Sequence, residues 1–396
     1  MDKQKVKSVF DQVYASRGGY YDYDAEGMGR YYDNLLTHLR NVLYFPNLIL
    51  VPKPVVHIGF ILNPTLGAVV TKFEGEYYIG VHVGTEIILM NLFGRMLSSP
   101  SILSQFGDAS LETGAKQLFN PHTSSMDQLF IQSDSTEDVA MEEASPVGTE
   151  RKSLVRLLTI IALSYLILHE NAHIVNGHLD YLMKSQDLVC FDESDDFIQT
   201  GETLLESQVL EYDADCYASV KITELMGQFL KEPQHFMINP KLFVQEHKQM
   251  LYLMGFACYS MFRLFGASNK PINQLLMRSH PPFEFRSKCL INTASSILYE
   301  REKRGGYTEG FSLECSRLLG DSVIESEKAF IIIAEEGEGV KGSHLHVTIE
   351  WISRILDTVN AGWVSVRPKL LPFAYNMLVP ADGSYYRQVV DNTKKA

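Results

Sequence analysis

The sequence predicts an α+β chain that is mostly helical, with a small, largely antiparallel sheet placed ahead of one long apolar helix. Three observations lead there. β-rich runs of seven or eight residues are confined to a window near 55–83 and are separated by turn residues. Most of the remaining apolar residues recur at helical spacing. The most apolar stretch, Leu157–Leu168, contains neither Pro nor Gly and runs directly into a group of ionisable residues.

In chain order, residues 2–16 and Met28–Leu43 read as helices, the second with Tyr31, Leu35, Leu36, Leu39 and Val42 along one side. Between them, Tyr20, Tyr21 and Tyr23 lie in a turn-rich link, where packing under a loop is expected. Val55–Leu62, Gly67–Phe73 and Tyr77–Val83 are expected to form an antiparallel meander, with turns at Asn63-Pro64 and Glu74-Gly75-Glu76. Thr85 is expected to cap a helix through Leu97. His57 and His82, on β runs with aliphatic neighbours, read as structural histidines.

Residues 132–150 are acidic, polar and poor in aromatics, so they read as a surface loop. The expected organisation is therefore an N-terminal part (1–131), this loop (132–150), a central helical part (151–292) and a helical C-terminal part (293–396). In the last part helices are expected at 293–304, 311–318, 322–335 and 346–358, with a flexible break at Gly337–Gly342. The apolar tail Trp363–Val379 docks on the core or serves a partner.

Composition narrows the function classes. The chain has 396 residues, enough for a large core, and a net charge of −13, which argues against nucleic acid and anionic membrane surfaces as partners. Five cysteines (Cys190, Cys216, Cys258, Cys289, Cys315) show no C-x-x-C spacing, which fits a reducing compartment. No apolar signal core leads the chain, and Leu157–Leu168 and Met250–Phe262 are expected to be buried helices, too short to span a bilayer. The expectation is a cytoplasmic protein without a transmembrane segment. Nothing in the sequence sets its oligomeric state.

The apolar run ends in His169-Glu170-Asn171-Ala172-His173. On a continuous helix His169 and His173 project from one face and can hold one Zn²⁺, with Glu170 placed as a general base. Asn176 and Leu179 stand where a metzincin would have Gly and His. His178 falls roughly 140° around the helix from His173 and is expected near the helix end at Gly177, as a plain polar residue or a support. The segment Glu202–Ala218 reads as a helix with Glu211 and Asp215 on one face and small Ala214 and Ala218 for a close approach. Alone, Glu211 is a solvated acid; with the two histidines upstream it becomes the expected third ligand, and Asp215 an acceptor for a ligand's ring N–H.

With these motifs the chain resembles the gluzincin metallopeptidases, whose H-E-x-x-H is followed by E-x-x-A-D on a later helix, here Glu211-Tyr212-Asp213-Ala214-Asp215. It is most similar to the HtpX, Oma and CAAX-prenyl-protease type, which often carries a His where His178 stands and an H-P-P element ending in Arg, here His280-Pro281-Pro282-Phe283-Glu284-Phe285-Arg286. The resemblance covers residues 154–292 and implies a zincin-like fold. It further implies a Zn²⁺ held by His169, His173 and Glu211, with Glu170 as catalytic base and His280 and Arg286 stabilising the tetrahedral intermediate. A sheet edge lining the cleft would hold a protein or peptide substrate by main-chain pairing. The layout is also similar to the Lit-type phage-exclusion peptidases, which cleave one host protein. A non-catalytic reading remains: a zinc-stabilised module that binds a protein without cutting it.

Overall fold

The computed structural model describes residues 3–44, 53–114, 145–186, 190–192, 202–232, 244, 246–265, 281–333 and 349–378. Among them the chain forms α1 (Lys3–Val13), α2 (Gly29–Leu43), β1 (Val56–Ile61), β2 (Ala68–Phe73), β3 (Glu76–His82) and α3 (Val83–Leu97). There follow α4 (Thr149–Val175), α5 (His178–Gln186), β4 (Cys190–Asp192), α6 (Glu202–Lys231), α7 (His247–Phe265), α8 (Phe283–Lys303), α9 (Phe311–Ile333) and α10 (Ile349–Leu370). This is the expected α+β class, mostly helical with one small sheet. Most of the 132–150 loop, the acidic residues 193–196, His280 and the Gly337–Gly342 break lie outside the described residues.

The helix α4 is the axis of the molecule. Every residue from Leu157 to Val175 is buried, so α4 is apolar all round until its last turns and needs neighbours on every side. α2, α3, α6 and α7 supply them, together with one face of β2 and β3. By length and composition this 27-residue helix could cross a bilayer, which the twelve-residue run did not suggest. Of its most apolar window, however, 89% is covered by the rest of the protein.

The sheet is mixed, in the order β1-β3-β2-β4. The expected meander is corrected here, because β3 lies between β1 and β2 and runs parallel to β1, while β2 is antiparallel to both β3 and β4. Cys190–Asp192 form that fourth strand, on the far edge of β2. Side chains alternate as a two-residue period requires: Ile58, Phe60, Val70, Ile79 and Val81 face the main core, while Ile61, Val69 and Tyr78 face α1. Gly59 and Gly80 are register partners on the α1 face. A Cβ on either would lie within about 3 Å of the Phe10 or Tyr14 ring, so both positions need glycine for α1 to seat. The Tyr14 hydroxyl then donates to the Tyr78 carbonyl at 2.7 Å. Along β1, the outer edge is partly taken by the chain itself, since Tyr21 N–H donates to Phe60 O and Leu62 N–H to Gly19 O.

α3 begins at Val83 behind His82, so Thr85 is not its cap. Its hydroxyl instead donates to the Gly67 carbonyl (2.7 Å) and accepts from Gly67 N–H (2.8 Å), tying the start of α3 to β2. The boundary expected at 292 falls inside α8, and α8 and α9 share the main core with α4 and α7. α9 is also continuous where two helices were expected. In the tail, Trp363, Val366 and Leu370 pack on Val209 and Leu210 of α6 and Leu182 of α5. Beyond α10, the Tyr375 and Asn376 N–H groups both donate to the carbonyl of Val175, the last residue of α4. That closes one of the carbonyls a helix end leaves over.

Candidate metal centre

α4 delivers His169 and His173 one turn apart on one face, with ring centroids 4.9 Å and Nε2 atoms 3.2 Å apart. The facing helix α6 delivers Glu211. Its Oε2 is 3.2 Å from His169 Nε2 and its Oε1 is 3.6 Å from His173 Nε2. α4 and α6 come this close because the seam between them is lined by Ala172, Val175, Ala214 and Tyr217, two of them alanines. One donor atom from each of His169, His173 and Glu211 lies within 4.8 Å of the others, and all three residues are buried. This group could hold a metal ion.

A layer of support stands behind each histidine. His169 Nδ1 lies 3.0 Å from Asp215 Oδ1. Asp215 also accepts from the Tyr165 hydroxyl (3.1 Å) and from Arg286, whose Nε and Nη2 approach to 3.0 and 2.9 Å. Burial pushes the Asp215 carboxyl up, but the Arg286 guanidinium and the His169 ring outweigh it and hold the group below the usual carboxylate range. Burial beside the Asp215 charge drives the Tyr165 phenol well above its ordinary value, so it remains a donor.

On the other side, His173 Nδ1 lies 3.1 Å from His178 Nδ1, and His178 Nε2 lies 3.0 Å from Asp213 Oδ2. The helical-wheel argument that put His178 on another face does not apply. α4 stops at Val175, Gly177 takes φ +80°, and the chain turns back so that the first residue of α5 meets the last turn of α4. A side chain at Gly177 would also collide with the Phe373–Ala374 backbone at 2.6–2.7 Å. Asn176 Nδ2 donates to the same Asp213 oxygen at 2.6 Å.

These partners fix the ring tautomers, which are assigned from the hydrogen-bond network. An ionised Asp215 can only accept, so the His169 proton sits on Nδ1. Asp213 likewise holds the His178 proton on Nε2, leaving His178 Nδ1 to accept from His173 Nδ1–H. Both ligand-side Nε2 atoms then turn lone pairs toward each other and toward a carboxylate. Acceptors brought together in a buried site repel unless a cation lies between them.

The remaining expected residues fall as follows. Glu170 is buried on α4 beside His169. His280 lies outside the described residues. Arg286 is 2% exposed, its guanidinium bound to Asp215 and lying over the Phe262 and Phe265 rings, 5.0 and 5.8 Å from their centroids. Arg286 thus lies on the Nδ1 side of His169, with Asp215 between them, where it positions Asp215. His57 pairs with Glu76 (2.7 Å) and His82 with Thr65 (3.0 Å), outside the group. Tyr165, Asn176 and Asp213 were not anticipated. Of these, Tyr165 was within reach of sequence reasoning, since it stands one turn before His169 on the same helix face.

Compared with protein-family models, curated proteins and solved structures, the chain gives no match.

Proposed function

We propose that the chain is a zinc-dependent metallopeptidase of gluzincin type, acting on protein or peptide substrates in the cytoplasm. The observation that carries this reading is the convergence of two imidazole lone pairs and one carboxylate on a single buried point, beside the acid Glu170. Two nitrogens and one oxygen suit zinc better than calcium or magnesium, which take oxygen shells. Spacing agrees: tetrahedral bonds of about 2.0–2.1 Å put donor atoms about 3.3 Å apart, against 3.2, 3.2 and 3.6 Å here.

A bound zinc ion would supply a Lewis acid that acidifies a water and polarises the scissile carbonyl. Glu170 accepts the proton of the attacking water and returns it to the leaving amine. Asp215 holds His169 in the ligating tautomer, and Asp213 does so for His173 through His178. Arg286 and Tyr165 keep Asp215 ionised and in place. His280 remains the proposed donor to the developing oxyanion.

Burial supports a second reading. His169, Glu170, His173 and Glu211 are each at most 1% exposed, so a peptide reaches them only if surrounding elements move apart. A closed zinc site that stabilises a protein-binding module needs no such movement. Zinc analysis and a peptide-library digest of the wild type, Glu170→Gln and Glu211→Ala separate the two. Hydrolysis predicts one zinc per chain in the wild type and Glu170→Gln, with cleavage lost by at least about 10²-fold in the latter. A wild type that holds zinc, cleaves nothing and unfolds on chelation establishes the binding module instead.

A further inference from the structure

Cys216 of α6 and Cys289 of α8 lie with their sulfurs 3.4 Å apart. They stand next to the pairing that supports the metal centre: Cys216 follows Asp215, and Cys289 is one turn after Arg286. Two ties thus join α6 to α8 side by side, an ion pair and a pair of thiols. The sequence showed no such pair, because 73 residues separate the two cysteines.

We propose that Cys216 and Cys289 form a reversible dithiol–disulfide site that locks α8 onto α6 when a peroxide is present. The two sulfurs differ in the way a stepwise oxidation needs. Cys216 is partly exposed, whereas Cys289 is buried. Its hydrogen bond to Cys216, and then burial, hold the Cys289 thiol well above its ordinary value, so this sulfur keeps its proton. Cys216 reacts first. Its sulfur attacks one peroxide oxygen, the O–O bond breaks, Cys216 becomes a sulfenic acid, and the other oxygen leaves as water with the thiol proton. Cys289 then attacks the Cys216 sulfur, the S–O bond breaks, and the departing hydroxyl leaves as a second water with the Cys289 proton. Two thiols and one peroxide become one disulfide and two waters, the sulfurs giving up two electrons.

Closing the bond brings the sulfurs from 3.4 Å to about 2.05 Å, a movement two adjoining helices can make by side-chain rotation and a small shift. Cys258 and Cys315 are fully buried, and burial raises both thiols, that of Cys315 to about 12. They serve as internal controls.

The test treats the folded full-length protein with hydrogen peroxide, blocks remaining thiols with an alkylating reagent and maps the peptides by mass spectrometry. The expected product is a Cys216–Cys289 cross-link that dithiothreitol reverses, with Cys258 and Cys315 recovered as unoxidised, alkylated cysteines. A loop this long, once closed, should raise the unfolding midpoint by roughly 5 °C. Cys216→Ala and Cys289→Ala should each abolish both the cross-link and the shift. Should either fail to fold, the wild-type map still decides. Cys216 carried to sulfinic acid while Cys289 is alkylated, or a cross-link that maps to Cys190, overturns the proposal. The readout needs no peptidase activity, so it stands or falls apart from the zinc reading.

Discussion

At its N-terminal end α4 buries a guanidinium, and at its C-terminal end it buries two imidazoles against a carboxylate; one end is bonded to backbone carbonyls, the other gathers potential metal ligands. Arg151 is fully buried, yet its five donated bonds reach the carbonyls of Leu97, Ser99, Ile102, Leu103 and Phe106 at 2.8–3.2 Å. Glu112 approaches to 3.9 Å. These carbonyls belong to the last residue of α3 and the irregular chain after it, so the guanidinium takes the place of the sheet or helix that would otherwise pair them. At the other end His169, His173 and Glu211 converge, and the supports behind them fix each ring so that its lone pair points inward. A buried cation whose needs the backbone meets is architecture. Three donor atoms gathered at one buried point could hold a metal ion.

Breaking each end should therefore do different things. The largest effect is expected at the converging end, where Glu211→Ala removes one of three proposed ligands. Zinc measured after gel filtration should fall from one per chain to a small fraction, while the far-ultraviolet circular dichroism stays near that of the wild type. Retention of full zinc would remove Glu211 from the site. Next, Arg151→Met should cost about 3–5 kcal/mol in urea unfolding, because it strands several buried carbonyls at once. The folded fraction should still bind zinc; metal loss in step with it would mean the two ends are not separate.

Smaller still is an acid effect carried by α2. His38 donates toward Ser164 of α4 at 3.1 Å, and burial pushes its ring down to about 3. His247 is likewise pushed down to about 4, mainly by burial. For a base with a depressed folded value, the unfolded chain takes up the proton first. The stability is present above the ordinary 6.5 and drains away as pH falls toward 3. By pH 5 the His38 share should be about 2 kcal/mol, so His38→Gln should lose less stability than the wild type between pH 7.5 and 5. Parallel urea curves for the two proteins would remove this role. The mildest change expected is His178→Ala, which leaves the three donors and removes only the acceptor behind His173. Competition against a zinc chelator should show affinity about 10–100-fold weaker. An unchanged affinity would show that the ring tautomer of His173 is set by something other than the Asp213–His178 pair.

Local features were legible before any coordinates. A spacing of four puts His169 with His173 and Glu211 with Asp215 on common helix faces wherever those helices go, because helical periodicity is a property of the backbone. Helical periodicity does not reach His178, which lies beyond the helix end expected at Gly177; of its two expected readings, the structure gives it the supporting place behind His173. The expected meander failed. Strand composition marks Val56–Ile61, Ala68–Phe73 and Glu76–His82, but which strand lies between the other two depends on the loop at 62–67 and on what covers each face. Arg286 was found as a member of a motif, yet its partner Asp215 is 71 residues away and its role follows from that partner.

By itself, then, the sequence determined most of the elements and a pair of helices each carrying ionisable groups one turn apart, since these follow from backbone periods and the cost of exposing apolar surface. Tertiary structure decided everything that needs two distant segments to meet: the parallel pairing of β1 with β3, the tail closing over Val175, the approach of Cys216 to Cys289, and the turning of His178 and Asp215 toward the two ring nitrogens. Those meetings depend on loop geometry and on small residues such as Ala172, Ala214 and Gly177 that permit close approach. No local pattern encodes the distance at which two packed helices come to rest.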